Sequence, residues 1–188
     1  MTTATIRELK AARLPAVGAI SFAVALAVAS QFAIPVPGTP VPITLQPLVV
    51  VLAGLVLGPA AAAGSMVTYL AAGVVGLPVF APLGAPGVAR LLGPTGGYLL
   101  AYPAAAVVAG VLGRSRDGQS PGRFARRLMA AAAGILVLYV GGVAQLAVLT
   151  GGIARAVEVG VPPFVAFDAL KAVVAAALAG TWVTRLRR

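Results

Sequence analysis

Two charged residues, Asp168 and Lys171, stand in an otherwise uncharged apolar stretch that runs from Val159 to Thr184. Residues three apart share one face of a helix, so the carboxylate and the ammonium can meet each other or meet a polar guest together. In a membrane span each ionised group costs roughly 2.5 to 3.5 kcal/mol on translocon-type scales, a cost usually tolerated for function. The pair therefore points to a binding site. The structural alternative is mutual neutralisation within a bundle, but that would leave hydrogen-bonding capacity unfilled in an apolar setting.

Further polar groups are expected near the same place. Gln46, within Thr44-Leu45-Gln46-Pro47, offers amide donors and acceptors at the start of an apolar segment, and the following proline removes a competing backbone N–H. Its alternative is a helix-end cap at the headgroups. Arg90 precedes Gly93-Pro94-Thr95-Gly96-Gly97-Tyr98, where Gly96 and Gly97 permit close approach of backbone to a guest. Thr95 is expected to cap the helix that starts there, leaving its first N–H groups free to face a ligand. Arg90 is equally readable as an interfacial anchor or a ligand partner. Tyr69, Tyr98, Tyr102 and Tyr139 could form a stacking wall, or be the tyrosines common at membrane interfaces.

The residue inventory removes most catalytic chemistry. Cysteine and histidine are both absent, so disulfides, zinc sites of the usual kind, thiol nucleophiles and Ser-His-Asp triads drop out together. No GxxxxGK[ST] phosphate loop occurs, and the acidic residues are Glu8, Asp117, Glu158 and Asp168 alone. Neither a paired-carboxylate acid/base site nor a chain of membrane carboxylates for proton relay can be assembled. Binding is favoured over catalysis, with no metal and no cofactor expected.

The elements that must position these groups are membrane helices. The 188 residues are 60% hydrophobic and 10% charged, with a mean hydropathy of +1.02, and no charge appears between Arg13 and Arg90. Apolar segments near Leu14 to Ala33, Val41 to Leu57, Ala60 to Val75, Gly96 to Leu112, Leu128 to Leu149 and Pro163 to Thr184 predict an all-α, polytopic bundle of six transmembrane helices in a single domain, 1–188. The second is expected to be short or irregular at its outer end, because it holds Pro42 and Pro47 and such backbone is tolerated only where protein shields it. Loops are expected at 34–44, 76–95 and 150–162.

The net charge of +10 does not indicate nucleic acid, because the basic residues sit at the ends of hydrophobic segments. They are Arg7, Lys10 and Arg13, then Arg114, Arg116, Arg123, Arg126 and Arg127, then Arg185, Arg187 and Arg188. An even number of spans places all of these on one side, which the positive-inside rule makes cytoplasmic. Both termini, the tail 1–13 and the loop 113–127 are thus expected in the cytoplasm. The basic N-terminus with Ala27-Val28-Ala29 before Ser30 also resembles a secretory signal peptide, a competing interpretation. The first span further carries Ala19, Ala23 and Ala27 at four-residue spacing, with Ala25 and Ala29 on a neighbouring stripe; small residues so spaced allow another helix to approach.

At Pro40-Val41-Pro42-Ile43-Thr44-Leu45-Gln46, Gly76-Leu77-Pro78-Val79-Phe80-Ala81, Leu91-Leu92-Gly93-Pro94-Thr95-Gly96-Gly97-Tyr98-Leu99-Leu100, and Asp168 with Lys171, the chain resembles the biotin-specific S components of energy-coupling factor transporters. The resemblance runs from the first span to the last. It implies a six-helix protein of the cytoplasmic membrane that holds biotin near its outer face under the loop after the third span. It also implies association with a transmembrane T component, through the Ala19, Ala23, Ala27 stripe, and with two cytoplasmic ATPases. The stretch Pro82-Leu83-Gly84-Ala85-Pro86 departs from the glycine-rich segment of that family. By this resemblance the substrate-binding residues would be Asp168, Lys171, Arg90, Gln46, Thr44, Phe80, Gly96, Gly97 and Tyr98. Asp168 and Gln46 would meet the ureido edge, Lys171 or Arg90 the carboxylate or the ureido oxygen, and Phe80, Leu83 and Tyr98 the bicyclic body. An S component for another small vitamin, a stand-alone transporter driven by an ion gradient, and a purely structural membrane protein are the rival readings.

Overall fold

The protein, seen as a computed structural model, is described over residues 3–114 and 123–186, with the side chains of 16–114 and 123–182. The loop residues 115–122, the basic side chains of Arg7, Lys10 and Arg13, and those of Arg116, Arg185, Arg187 and Arg188 lie outside the described residues. Among the described residues eight helices occur in order: α1 (Thr3–Gln31), α2 (Gln46–Leu57), α3 (Pro59–Val74), α4 (Val88–Leu92), α5 (Gly96–Gly113), α6 (Arg123–Thr150), α7 (Ile153–Gly160) and α8 (Pro162–Leu186). A two-residue ladder joins β1 (Ala33–Ile34) to β2 (Ile43–Thr44), pairing Ala33 with Thr44 and Ile34 with Ile43.

Each of the six apolar segments carries a helix, but the boundaries and loops need correction. The tail before Leu14 continues α1 rather than standing apart from it. The second helix begins only at Gln46, five residues later than expected, because residues 41–45 are taken up by the β ladder and the turn that feeds it. The stretches 76–95 and 150–162 are not plain loops, since they contain α4 and α7. Gly87 starts α4 at φ 62°, a conformation in which glycine is at ease.

Proline and glycine explain the breaks. Pro47 occupies the first turn of α2 and Pro59 that of α3, where a missing N–H costs nothing. Between them Gly58, at φ 80°, turns the chain from one helix directly into the next. The 12 residues of α2 rise about 18 Å, too little to cross a hydrocarbon core of about 30 Å. Its central position compensates, for α2 packs on α1, α3, α5, α6 and α8, and short backbone at membrane depth is tolerated where protein shields it.

Close helix crossings are made by glycine. A Cβ on Gly97 would lie 2.2 Å from the Gly141 carbonyl oxygen, and one on Gly54 would lie 2.4 Å from that of Ala106, so α5 meets α6 and α2 backbone to backbone. The core runs through Leu26, Val50, Met66, Tyr69, Leu99 and Leu138. Outward faces carry Val17, Val24, Leu100, Leu136, Val140 and Leu170, so the bundle is apolar inside and out, as a helix bundle surrounded by lipid is. Among the described residues, Gly96–Gly113, Arg123–Thr150 and Pro162–Trp182 are long and apolar enough to cross a membrane, and Ala16–Gln31, Gln46–Leu57 and Pro59–Val74 are shorter apolar helices. Phe22 and Leu26 belong to the core, so cleavage after Ala29 would remove part of what holds the bundle together.

Candidate functional site

α8 begins at Pro162, and its second and third turns bring Asp168 and Lys171 inward. Both are buried, at 5% and 7% exposure, and Lys171 Nζ donates to Asp168 Oδ1 at 2.7 Å. The hydroxyl of Tyr139 on α6 donates to Asp168 Oδ2, also at 2.7 Å. The pair thus neutralises itself, as the structural alternative requires, and it also lines a chamber. An ammonium has three N–H donors, so Lys171 keeps two beyond its ion pair.

The chamber measures about 60 Å³. The turn before β2, β2 itself and the start of α2 supply Val41, Thr44 and Gln46; α5 supplies Tyr98, Leu99 and Tyr102; α6 supplies Leu138 and Tyr139; and α8 supplies Phe164, Asp168 and Lys171. Phe80, Ala81 and Arg90 close it from the segment between α3 and α5. Its walls are mostly apolar and aromatic with a few convergent polar groups, the usual make-up of a small-molecule site.

Gln46 is 4% exposed, which rules out a cap lying in the headgroups. Its Nε2 donates to the Tyr69 hydroxyl at 2.8 Å, and its Oε1 accepts from Thr44 Oγ1 at 3.2 Å. Tyr69 stacks on Tyr102 at 6.3 Å between ring centroids, so this tyrosine supports the wall from behind, whereas Tyr98, Tyr102 and Tyr139 form it. The Tyr98 hydroxyl donates to the Gly160 carbonyl at 2.6 Å, tying α5 to the end of α7.

Arg90 is no interfacial anchor. It is 6% exposed, and its guanidinium donates to the carbonyls of Ala81 and Leu83, while Nε has no partner. Burial lowers its pKa from the ordinary value, opposed by the nearby Tyr69, and an arginine remains charged regardless. One carboxylate and two cations therefore line the chamber, a formal excess of one positive charge.

Several expected contacts are corrected. Gly96 and Gly97 do not line the chamber: a Cβ on Gly96 would fall 1.9 Å from the Leu91 carbonyl oxygen, and Gly97 abuts Gly141, so both serve helix packing. Thr95 stands at the N-terminus of α5 and lines the chamber, yet its side chain makes no capping bond; its carbonyl accepts from Leu99 N instead. Leu83 is exposed and absent from the wall. On α1, Ala23 is buried and Ala19 and Ala27 are half-buried. That stripe faces its own bundle, and the outward residues are Val17, Ile20, Ser21, Val24, Ala25 and Val28.

Sequence reasoning missed three polar clamps. Gln145 Nε2 on α6 donates to the carbonyls of Leu91 and Gly93 at 2.8 and 2.7 Å. Ser30 and Gln31, at the end of α1, reach carbonyls of the segment over the chamber. An amide inside the apolar run of α6 was a usable signal of the same kind as Gln46.

The model of the BioY family matches residues 2–188. The probable biotin transporter BioY of Pyrococcus horikoshii is 44% identical over 140 residues, which cover 74% of this chain and 79% of that protein. The biotin transporter BioY of Thermotoga maritima is 40% identical over 146 residues, covering 78% and 83%. A crystal structure of the S-component for biotin from an ECF-type ABC transporter superposes with a TM-score of 0.79 at 23% identity, over 100% of this chain and 94% of that one, a likeness of fold.

Proposed function

The chain belongs to the BioY family, and from that premise we propose that it captures biotin at the outer face of the cytoplasmic membrane and delivers it inward as the S component of an ECF-type transporter. The observation that carries this reading is the buried Asp168–Lys171 pair lining a largely apolar chamber. In a ureido ring the N–H donors flank the carbonyl acceptor. A carboxylate and an ammonium 2.7 Å apart present the complementary order, so Asp168 accepts from a ureido N–H while Lys171 donates to the ureido oxygen. Gln46 and Thr44 complete the polar edge, and Phe80, Tyr98 and Tyr102 cover the bicyclic body.

The excess positive charge suits a ligand with one carboxylate. Arg90, at the cover, takes that role through its Nε and one of the amino groups now spent on lid carbonyls, giving a charge-assisted bond. Six spans in one domain, 1–188, with both termini and the loop 113–127 in the cytoplasm, fit the six apolar helices and the basic residues at their ends. α2 and α3 then cross as shortened helices inside the bundle.

With no phosphate loop of its own, the chain depends on two ATPases and a transmembrane T component for energy. Since Ala23 is buried, α1 meets the T component through its outward face, around Ser21 and Ala25, rather than through the Ala19, Ala23, Ala27 stripe. Uptake of labelled biotin in cells that lack their own biotin transport tests the proposal. Uptake should require this chain together with a T component and ATPases. Uptake by the chain alone, abolished by collapsing the proton gradient, would replace the ATP-driven reading, and no biotin uptake in any combination would remove biotin as the substrate.

A further inference from the structure

The segment between α3 and α5 covers the chamber, and its carbonyls are held one after another by side chains from elsewhere. Gln31 Nε2 lies 3.5 Å from the Pro78 oxygen and donates to the Phe80 oxygen at 3.3 Å. Ser30 Oγ lies 2.6 Å from the Val79 oxygen and 2.7 Å from the Ala27 oxygen of its own helix, which share its single hydrogen, and Arg90 holds the Ala81 oxygen. Gln31 also donates to Ser30 Oγ at 2.8 Å, so the two neighbours act together. Between these carbonyls Phe80 points inward. Its ring fills the space a Cβ on Gly73 would need, at 2.1 Å, and meets Tyr69 edge-on at 5.5 Å, while also forming part of the chamber wall.

We propose that Ser30 and Gln31 are positioning residues that latch this cover shut from the end of α1, so that the placement of α1 sets access to the binding site. The inference rests on the chamber being the biotin site. The two ends of the cover differ in freedom. Its later end is wedged where Gln145 grips Leu91 and Gly93 and where Gly96 lies against the Leu91 carbonyl. Its earlier end is held to α1 by one hydroxyl and one amide, and the stretch 82–86 between is exposed. The packing of Phe80 on Gly73 and Tyr69 and the bonds from Ser30 and Gln31 thus hold the earlier end together, and the exposed stretch 82–86 is the part of the cover that lifts when those bonds are lost. A chamber of about 60 Å³ is well below the ~300 Å³ of typical small-molecule sites, so lifting the cover would also make room for a ligand. α1 is suited to drive it, since it packs mainly on α2 and α3, touches α8 through the edge-on Phe22–Trp182 pair, and presents much of its remaining face outward.

The native chain has no cysteine, so Leu138→Cys, at a wall position 3% exposed, reports access to the chamber. Labelling of this thiol by a small water-soluble maleimide is compared with and without Ser30→Ala plus Gln31→Ala, in purified protein that elutes and melts like the parent. Gln31→Glu, at an exposed and isosteric position, serves as a second variant that removes the donors without removing bulk. Losing two hydrogen bonds of ordinary net strength should speed labelling by roughly tenfold or more, and Gln31→Glu should shift it in the same direction. Labelling within twofold of the parent in both variants overturns the latch. Retention of labelled biotin is followed in parallel, and its dissociation should quicken along with labelling. Faster labelling in a protein that binds no biotin would keep the latch and discard the biotin reading, whereas biotin bound with unchanged labelling would do the reverse.

Discussion

Asp168 uses both of its oxygens, one toward Lys171 and one toward Tyr139, and this double engagement fixes the carboxylate in place before a ligand arrives. Tyr139→Phe would leave one buried oxygen without its donor, a loss of about 1 to 3 kcal/mol. Biotin affinity should fall by roughly an order of magnitude or more, read by equilibrium binding of labelled biotin. Arg90 makes a sharper case, because it contacts both the cover and, in the proposed pose, the ligand carboxylate. Arg90→Gln should weaken biotin by about 10- to 100-fold, the range for hydrogen bonds to charged groups, and weaken biotin amide far less. An equal loss for both would confine Arg90 to holding the cover. The ion pair was legible in the sequence because an ionised group in an apolar run is costly. Tyr139 was not singled out, since a membrane tyrosine is ordinary until its hydroxyl is seen on Asp168. Ser30 and Gln31 stayed hidden because their partners are backbone carbonyls almost fifty residues away, which leave no trace in side-chain pattern.

Helices are placed by glycines whose roles spacing alone could not separate. Gly97 was read as a backbone opening toward a guest, but it is the contact by which α5 reaches α6. Gly97→Val should force these helices apart and destabilise the protein by roughly 1 to 3 kcal/mol, seen as a lower thermal midpoint in detergent. Gly64, on the exposed side of α3 with nothing near its missing Cβ, should respond in the opposite sense. Gly64→Ala should add up to about 0.4 to 1 kcal/mol of stability, read as an unchanged or slightly higher midpoint. The six helices themselves were legible from apolar run length and from proline. The late start of α2 was not, because the ladder between Ala33 and Thr44 pairs residues across a proline-rich loop whose composition argues against strands. α4 and α7, at 5 and 8 residues, are too short for periodicity to separate from turns.

For the molecule as a whole, the proposed orientation puts the basic residues at the helix ends on the cytoplasmic face and the chamber's cover on the outer one. In intact cells Ala85→Cys, on the exposed stretch of the cover, should react with a membrane-impermeant thiol reagent, while Arg188→Cys should react only after permeabilisation. The reverse pattern would invert the orientation. Whether the buried ion pair grips the vitamin is tested most directly by a double-mutant cycle in biotin binding by purified protein. Asp168→Asn, Lys171→Met and the two together should each weaken binding by on the order of 100-fold or more, with losses that do not add, because each single change leaves a buried charge unpaired. Tight, competable biotin binding that survives in all three variants would show that the ion pair does not hold the ligand.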